Sequence, residues 1–187
     1  MSLSQPTLKA PGRVFLEKIV ASTRARIARL RSQRTVDSLL ADAREFKRRS
    51  LLSAISTGTP AIIAEVKRAS PSIGLLRTEF DSLVLATAYQ TGGASALSIV
   101  TEPDFFQGDN AWVPDIRSKT TLPILRKDFI LEPIQVAETA SLGADAVLLI
   151  ARLLSVHQMR ELYDAASQSQ LDVLFEAHDA ADLEKIS

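Results

Sequence analysis

The chain has 187 residues, 46% of them hydrophobic and 24% charged, with a formal net charge of zero; this suits a globular domain with a sizeable core and excludes long disorder. It has no cysteine and only two histidines, His157 and His178, which excludes disulfides, thiolate metal centres, a cysteine nucleophile and a His-rich metal cage. The longest unbroken apolar run, Ala146 to Ala151, is far too short to cross a bilayer, and the opening MSLSQPTLKAPG has no apolar signal core, so a cytoplasmic protein is expected.

Residues 1–50 hold 12 Lys and Arg against 4 Asp and Glu, whereas residues 51–187 hold 10 against 18. A basic arm can bind nucleic acid or an anionic membrane. This one lacks interleaved aromatics and any nucleic-acid motif. The expectation is a solvated helix face beside an acidic body, with neither nucleic acid nor membrane as partner. Pro11 and Gly12 precede a helix in which Phe15, Ile19, Ile27 and Leu30 recur near helical spacing, and Arg24, Arg26, Arg29, Arg31 and Arg34 are expected to face water. Short helices are expected at Val36–Phe46 and Ser50–Ser56, and Gly58 and Pro60 stop helix.

The pattern then changes. Five apolar runs of strand length follow: AIIAEV (61–66), ASALSIV (94–100), LPILRK (122–127), ADAVLLIA (144–151) and LDVLFEA (171–177). Continuous rather than alternating apolar runs indicate strands buried on both faces, as in a parallel sheet. Between them lie helical stretches with recognisable ends. Asp81 can cap DSLVLATAYQT, which stops at Gly92-Gly93; Pro133 suits a first helical turn; Ser155 and Asp179 can cap the last two helices. No strand is followed by a dinucleotide or P-loop glycine pattern, which weakens an open nucleotide-binding sheet. Polar residues instead gather at strand C-terminal ends: Glu65 and Lys67, Ser98 and Thr101, Lys127, Glu176 and His178. That is where (β/α)8 barrels assemble active sites. Five strands against a barrel's eight leave two expectations, an open sheet or the N-terminal part of a longer protein.

Glu65 and Lys67 are two apart on a strand and share a side, where a carboxylate and an ammonium perturb each other and orient a polar substrate. The same spacing suits an ion pair at a strand end. Ser70, Pro71, Ser72 and Gly74 form a loop suited to an anion. Lys127 and Phe129 share one face and Arg126 and Asp128 the other. A lysine at a strand end among apolar groups can act as a general acid after desolvation lowers its pKa; a surface lysine in a charged turn has the same pattern. Glu176 shares a face with His178 and suits proton transfer, while His178 suits a structural hydrogen bond and His157 an exposed helix face. Phe105 and Phe106 suit an aromatic wall or ordinary packing.

The stretches IIAEVKRASPS, ALSIVTEPDFFQG, LPILRKDFI, GADAVLLIARLL and LDVLFEAHD, spanning residues 62–179, resemble indole-3-glycerol phosphate synthase of tryptophan biosynthesis in order and rough spacing. The resemblance implies a (β/α)8 TIM barrel with an N-terminal helical extension, here 1–58, followed by a partial barrel over 59–187 that ends after the fifth strand and helix. It implies a lyase that closes a ring in carboxyphenylamino-deoxyribulose phosphate with loss of carbon dioxide and water, using no cofactor and no metal. By match to the motifs, Lys127 is the general acid and Glu176 handles protons in dehydration. Glu65 and Lys67 position these groups and hold the substrate carboxylate. Ser70 helps anchor the phosphate, and Phe106 and Phe129 enclose the anthranilate ring. Ile73 stands where many members have lysine, and the Asn-Arg, Glu-Ser-Gly and glycine-rich phosphate motifs of the family's last strands do not occur. The competing expectation is a non-catalytic fragment that only associates, through open sheet edges with itself or with a C-terminal complement.

Overall fold

A computed structural model describes residues 11–56 and 60–186. Gly58, and with it the boundary drawn at 58, lies outside the described residues. Three helices come first: α1 (Pro11–Gln33), α2 (Val36–Ala43) and α3 (Leu51–Ile55). Pro11 and Gly12 form the first turn of α1 rather than preceding it; proline is tolerated there because a first-turn amide has no intrahelical acceptor. Ile19, Thr23 and Ile27 are its buried stripe. Arg24, Arg29 and Arg31 face water as expected, but Arg34 is only partly exposed, bonding Ser38 of α2, and Arg26 is partly exposed and turns inward. Thr35 caps α2, which ends before the expected Phe46. From Arg44 to Phe46 each amide bonds three residues back, so the helix tightens into a 3₁₀-type tail.

The rest of the chain alternates strand and helix: β1 (Ile63–Val66), the short β2 (Ala69–Ser70) and β3 (Gly74–Leu75), α4 (Ser82–Thr91), β4 (Ala96–Val100), α5 (Pro103–Phe106), α6 (Trp112–Lys119), β5 (Ile124–Lys127), α7 (Pro133–Ser141), β6 (Ala146–Ile150), α8 (Val156–Gln168), β7 (Asp172–Glu176) and α9 (Ala180–Ile186). Four of these helices start where the sequence supplies a local cause. The Asp81 carboxylate accepts from the amides of Leu83 and Val84, Pro133 sits in the first turn of α7, Ser155 forms a capping box with Gln158, and Asp179 accepts from the Asp182 amide. The hairpin β2–β3, where Gly74 takes a positive φ of 76°, and the helices α5 and α6 add to the elements expected from the sequence; α6 has no side-chain cap to mark its start.

Among the described residues the main sheet is five parallel strands in the order β1-β4-β5-β6-β7. That order is strictly sequential. A doubly wound sheet reverses direction at a switch point, and no reversal occurs here, so the winding is that of a (β/α)8 barrel. Side chains alternate accordingly. Leu97, Ile99 and Ile124 pack outward with Val113 and Ile116 of α6, and Val147 and Leu149 pack outward with α7 and α8. Ala96, Leu125, Ala146 and Leu148 point inward, where Leu51 of α3 joins them. The inner set therefore has α3 beneath it, and the next inward positions along β1, β5 and β7 are Glu65, Lys127 and Glu176. Among the described residues no helix is long and apolar enough to cross a membrane.

Candidate active site

The register of the sheet decides which polar groups meet. Glu65 lies beside Ser98, and Lys127 lies beside Val100 one step nearer the strand ends. Both point to the inner side, and Lys127 reaches over β4 to Glu65, with Nζ 2.8 Å from Oε2. The other oxygen of Glu65 takes Lys67, whose Nζ is 2.6 Å from Oε1. Burial works to raise the Glu65 carboxyl, but the hydrogen bonds and charges of Lys127 and Lys67 outweigh it and hold the group below the usual carboxylate range. Glu65 is therefore a fixed anion holding two ammonium groups at a set spacing.

These groups line a cleft of about 220 Å³ at the strand C-terminal ends. Six of the predicted residues line it: Glu65, Lys67, Phe106, Lys127, Phe129 and Glu176. Phe106 and Phe129 face each other with ring centroids 6.1 Å apart. Val100, Leu148 and Ile150 form its apolar floor. The arrangement can set a flat ring against this aromatic wall while presenting an anion and two cations at its edge. Larger hollows of about 460 and 480 Å³ along α8 and β7 contain none of the predicted site residues.

Several expectations change in detail. The Lys127 side chain is 40% exposed and ion-paired, so a carboxylate holds its ammonium where desolvation among apolar groups was expected. Ser70 lies on β2 outside the cleft lining, with its hydroxyl 3.5 Å from that of Ser72. Thr101 turns away and donates to Asp128, and the buried Ser98 hydroxyl has no partner. Phe105 leaves the wall to Phe106 and packs edge-on against Phe15 of α1. His178 places Nε2 3.2 Å from Glu176 Oε1, and His157 is exposed.

Two further carboxylates line the cleft: Glu102, and Asp128, which spacing alone puts on the face opposite Lys127. Glu102 is fully buried and accepts from the amides of Asp104, Phe105 and Phe106, which orients α5. Asp128 is buried and accepts from the Phe129 amide at 2.8 Å. The TEPDFF stretch carried a signal for the first, an acid directly before a proline-initiated turn. Among the described residues no group of three or more histidine, aspartate or glutamate side chains could hold a metal ion.

A profile of the family described as indole-3-glycerol phosphate synthase matches residues 16–187. Two curated relatives named indole-3-glycerol phosphate synthase, from Shouchella clausii and Nautilia profundicola, are 42% and 40% identical over 174 and 173 residues. Each alignment covers 92% of this chain but 65% and 67% of the relatives, so the chain spans about two thirds of their length. Two solved structures of one mandelate oxidase variant superpose with TM-scores of 0.51 and 0.50 at 17% and 18% identity, over 71% and 80% of this chain and 47% and 55% of theirs. At that identity they bear on the fold alone.

Proposed function

The chain belongs to the indole-3-glycerol phosphate synthase family, and from that premise we propose that its cleft is the ring-closing site for carboxyphenylamino-deoxyribulose phosphate. The observation that carries the reading is the convergence of Glu65, Lys67, Lys127 and Glu176 with Phe106 and Phe129 in one cleft. The aromatic rings enclose the anthranilate ring, and Lys67 with Lys127 draws in its carboxylate. The ring carbon bearing that carboxylate attacks the substrate's carbonyl carbon. As the carbon–carbon bond forms, Lys127 gives its proton to the carbonyl oxygen. Carbon dioxide leaves, and its bonding electrons restore the aromatic ring. The new hydroxyl then departs as water while the adjacent carbon gives up a proton, and Glu176 stands on β7 to move these protons. Glu65 keeps both lysines in place throughout. Ser70, outside the lining, helps anchor the phosphate from the β2–β3 hairpin. The reading requires no cofactor, and the protein works in the cytoplasm.

A second reading rests on β1 and β7, each paired along one edge only among the described residues. Open edges invite pairing with another chain. On this reading the 187-residue chain is inactive alone and associates with itself or with the C-terminal units of a longer relative. Product formation followed by indole fluorescence, with size-exclusion profiles, decides between them. Turnover that appears only on mixing with such units supports the catalytic cleft together with a need for a complement. Turnover by the chain alone removes that need. Association without turnover in either case leaves only the second reading.

A further inference from the structure

We infer that Arg26 on α1 is a positioning residue for the cleft, acting through Asp128 and Glu102. It is not among the cleft residues, and 102 residues separate it from Asp128. Its guanidinium forks onto that carboxylate, with Nη2 3.0 Å from Oδ1 and Nη1 3.2 Å from Oδ2. Nη2 also donates to Thr23 of its own helix at 3.1 Å, which steadies the fork. Asp128 stands between Lys127 and Phe129. Its Oδ1 also accepts from the Phe129 amide, and its Oδ2 accepts from Thr101. One buried carboxylate thus sets the backbone turn between the proposed acid and one wall of the ring pocket.

The same Nη2 lies 3.9 Å from Glu102 Oε1. Glu102 is the carboxylate that accepts three amides of α5, Phe106 among them. Arg26 therefore neutralises both buried anions that orient the two facing rings. A buried carboxylate persists only with a cation or donors beside it. Arg126 serves Asp128 from the sheet side, with Nη2 3.3 Å from Oδ2, and Arg26 serves it from α1. The rings Phe15 and Phe105 meet edge-on at 5.2 Å, and Ser22 hydrogen-bonds Asp104, so α1 is seated on α5 by contacts independent of the guanidinium. The helix is a brace and Arg26 is its charged tooth. Displacing a catalytic group by about 1 Å can cost about 10²-fold in rate, which is the scale on which such a brace acts.

The inference rests on the catalytic reading of the cleft, and the test separates the two. The full chain, labelled with 4-fluorophenylalanine, is compared as wild type, Arg26→Met and Arg26→Lys, with Lys127→Ala alongside. The ¹⁹F signals of Phe106 and Phe129 are assigned by single Phe→Leu changes, and Phe175 on β7 is the control. Arg26→Met should shift or broaden both pocket signals and leave Phe175 unmoved. Where turnover is measured, kcat should fall about 10- to 100-fold with KM within about threefold. Arg26→Lys keeps the charge but not the fork, so it should fall between. Wild-type pocket signals and kcat in a folded Arg26→Met variant overturn the inference. If Arg26→Met does not fold, Arg26→Lys decides: an intermediate loss supports the inference, and wild-type behaviour overturns it. If Lys127→Ala keeps its turnover, the catalytic reading falls, and the ¹⁹F signals still decide whether Arg26 shapes the pocket. They decide it likewise if the chain shows no turnover.

Discussion

Glu65 on β1 and Lys127 on β5 are joined by a 2.8 Å ion pair that passes over the intervening strand β4. Three neighbouring strands are thereby tied at their C-terminal ends, just where the cleft opens. Because Lys67 takes the second oxygen of the same carboxylate, one anion sets the separation of two cations. The sequential order of the sheet puts β5 two strands from β1, and the register sets Lys127 level with the end of β1, so the three side chains meet at one point.

The first prediction concerns that anion. Glu65→Gln keeps the shape but removes the charge, so Lys67 and Lys127 lose their common counter-ion and repel each other. Steady-state kinetics should show a fall in kcat of roughly 10²-fold, the scale of a misplaced catalytic group. A Gln variant with unchanged kcat would mean that the ion pair is only a strand-end contact.

Glu176 stands on β7 beside His178. Glu176→Gln should cut kcat by roughly 10²–10⁴-fold, as expected for a proton-transfer group. It should also remove or displace one limb of the pH–rate profile. A profile of unchanged shape would make Glu176 a structural partner of His178.

Much of this site was legible in the sequence because strands obey a period of two. Glu65 with Lys67, and Lys127 with Phe129, could be put on shared faces from spacing alone, and six predicted residues do share one cleft. Strand ends and helix caps were legible because Asp81, Pro133, Ser155 and Asp179 act locally. What sequence could not show depends on distant partners. Arg26 reads as one more arginine on a solvated helix until Asp128, brought in by β5, meets it. Lys127 reads as a desolvated lysine until Glu65 supplies the counter-charge from another strand. The division of labour between Phe105 and Phe106 follows from where α1 puts Phe15.

Asp128 should leave a signature in acid stability. Burial opposes its charge, but Arg126, Arg26 and the hydrogen bonds from Arg26 and Thr101 outweigh it and hold the carboxyl below its ordinary range. A group depressed in the folded state stabilises fully above its unfolded value, about 3.9 for aspartate, and that contribution is lost as pH falls through the lower folded value. Asp128→Asn should cost about 3–5 kcal/mol near neutral pH, as expected for breaking a buried ion pair. The gap to wild type should then narrow below about pH 4. Urea unfolding across pH measures it; a gap that stays constant would show that the charge of Asp128 is not what matters.

Asp145 offers a contrast. It lies at the N-terminal end of the sheet, buried, and accepts from Arg117 at 2.9 Å and from the amides of Arg49 and Ile124 at 2.8 and 3.0 Å. Residues at that end of a barrel bear on stability rather than chemistry. Asp145→Ala should lower unfolding free energy by about 3–5 kcal/mol by stranding Arg117, yet leave kcat per folded molecule within about twofold. A large loss of kcat in folded Asp145→Ala would contradict the separation of the two ends.

The most direct test of the proposed chemistry is the rate of indole-3-glycerol phosphate formation with Lys127 replaced by alanine. The chain is assayed with the C-terminal barrel units of a relative if it needs them, and wild type and variant are compared at saturating substrate. If Lys127 donates the proton during ring closure, kcat falls roughly 10²–10⁴-fold while KM changes little. Lys127→Ala turning over at the wild-type rate, or altered in KM alone, would contradict the account.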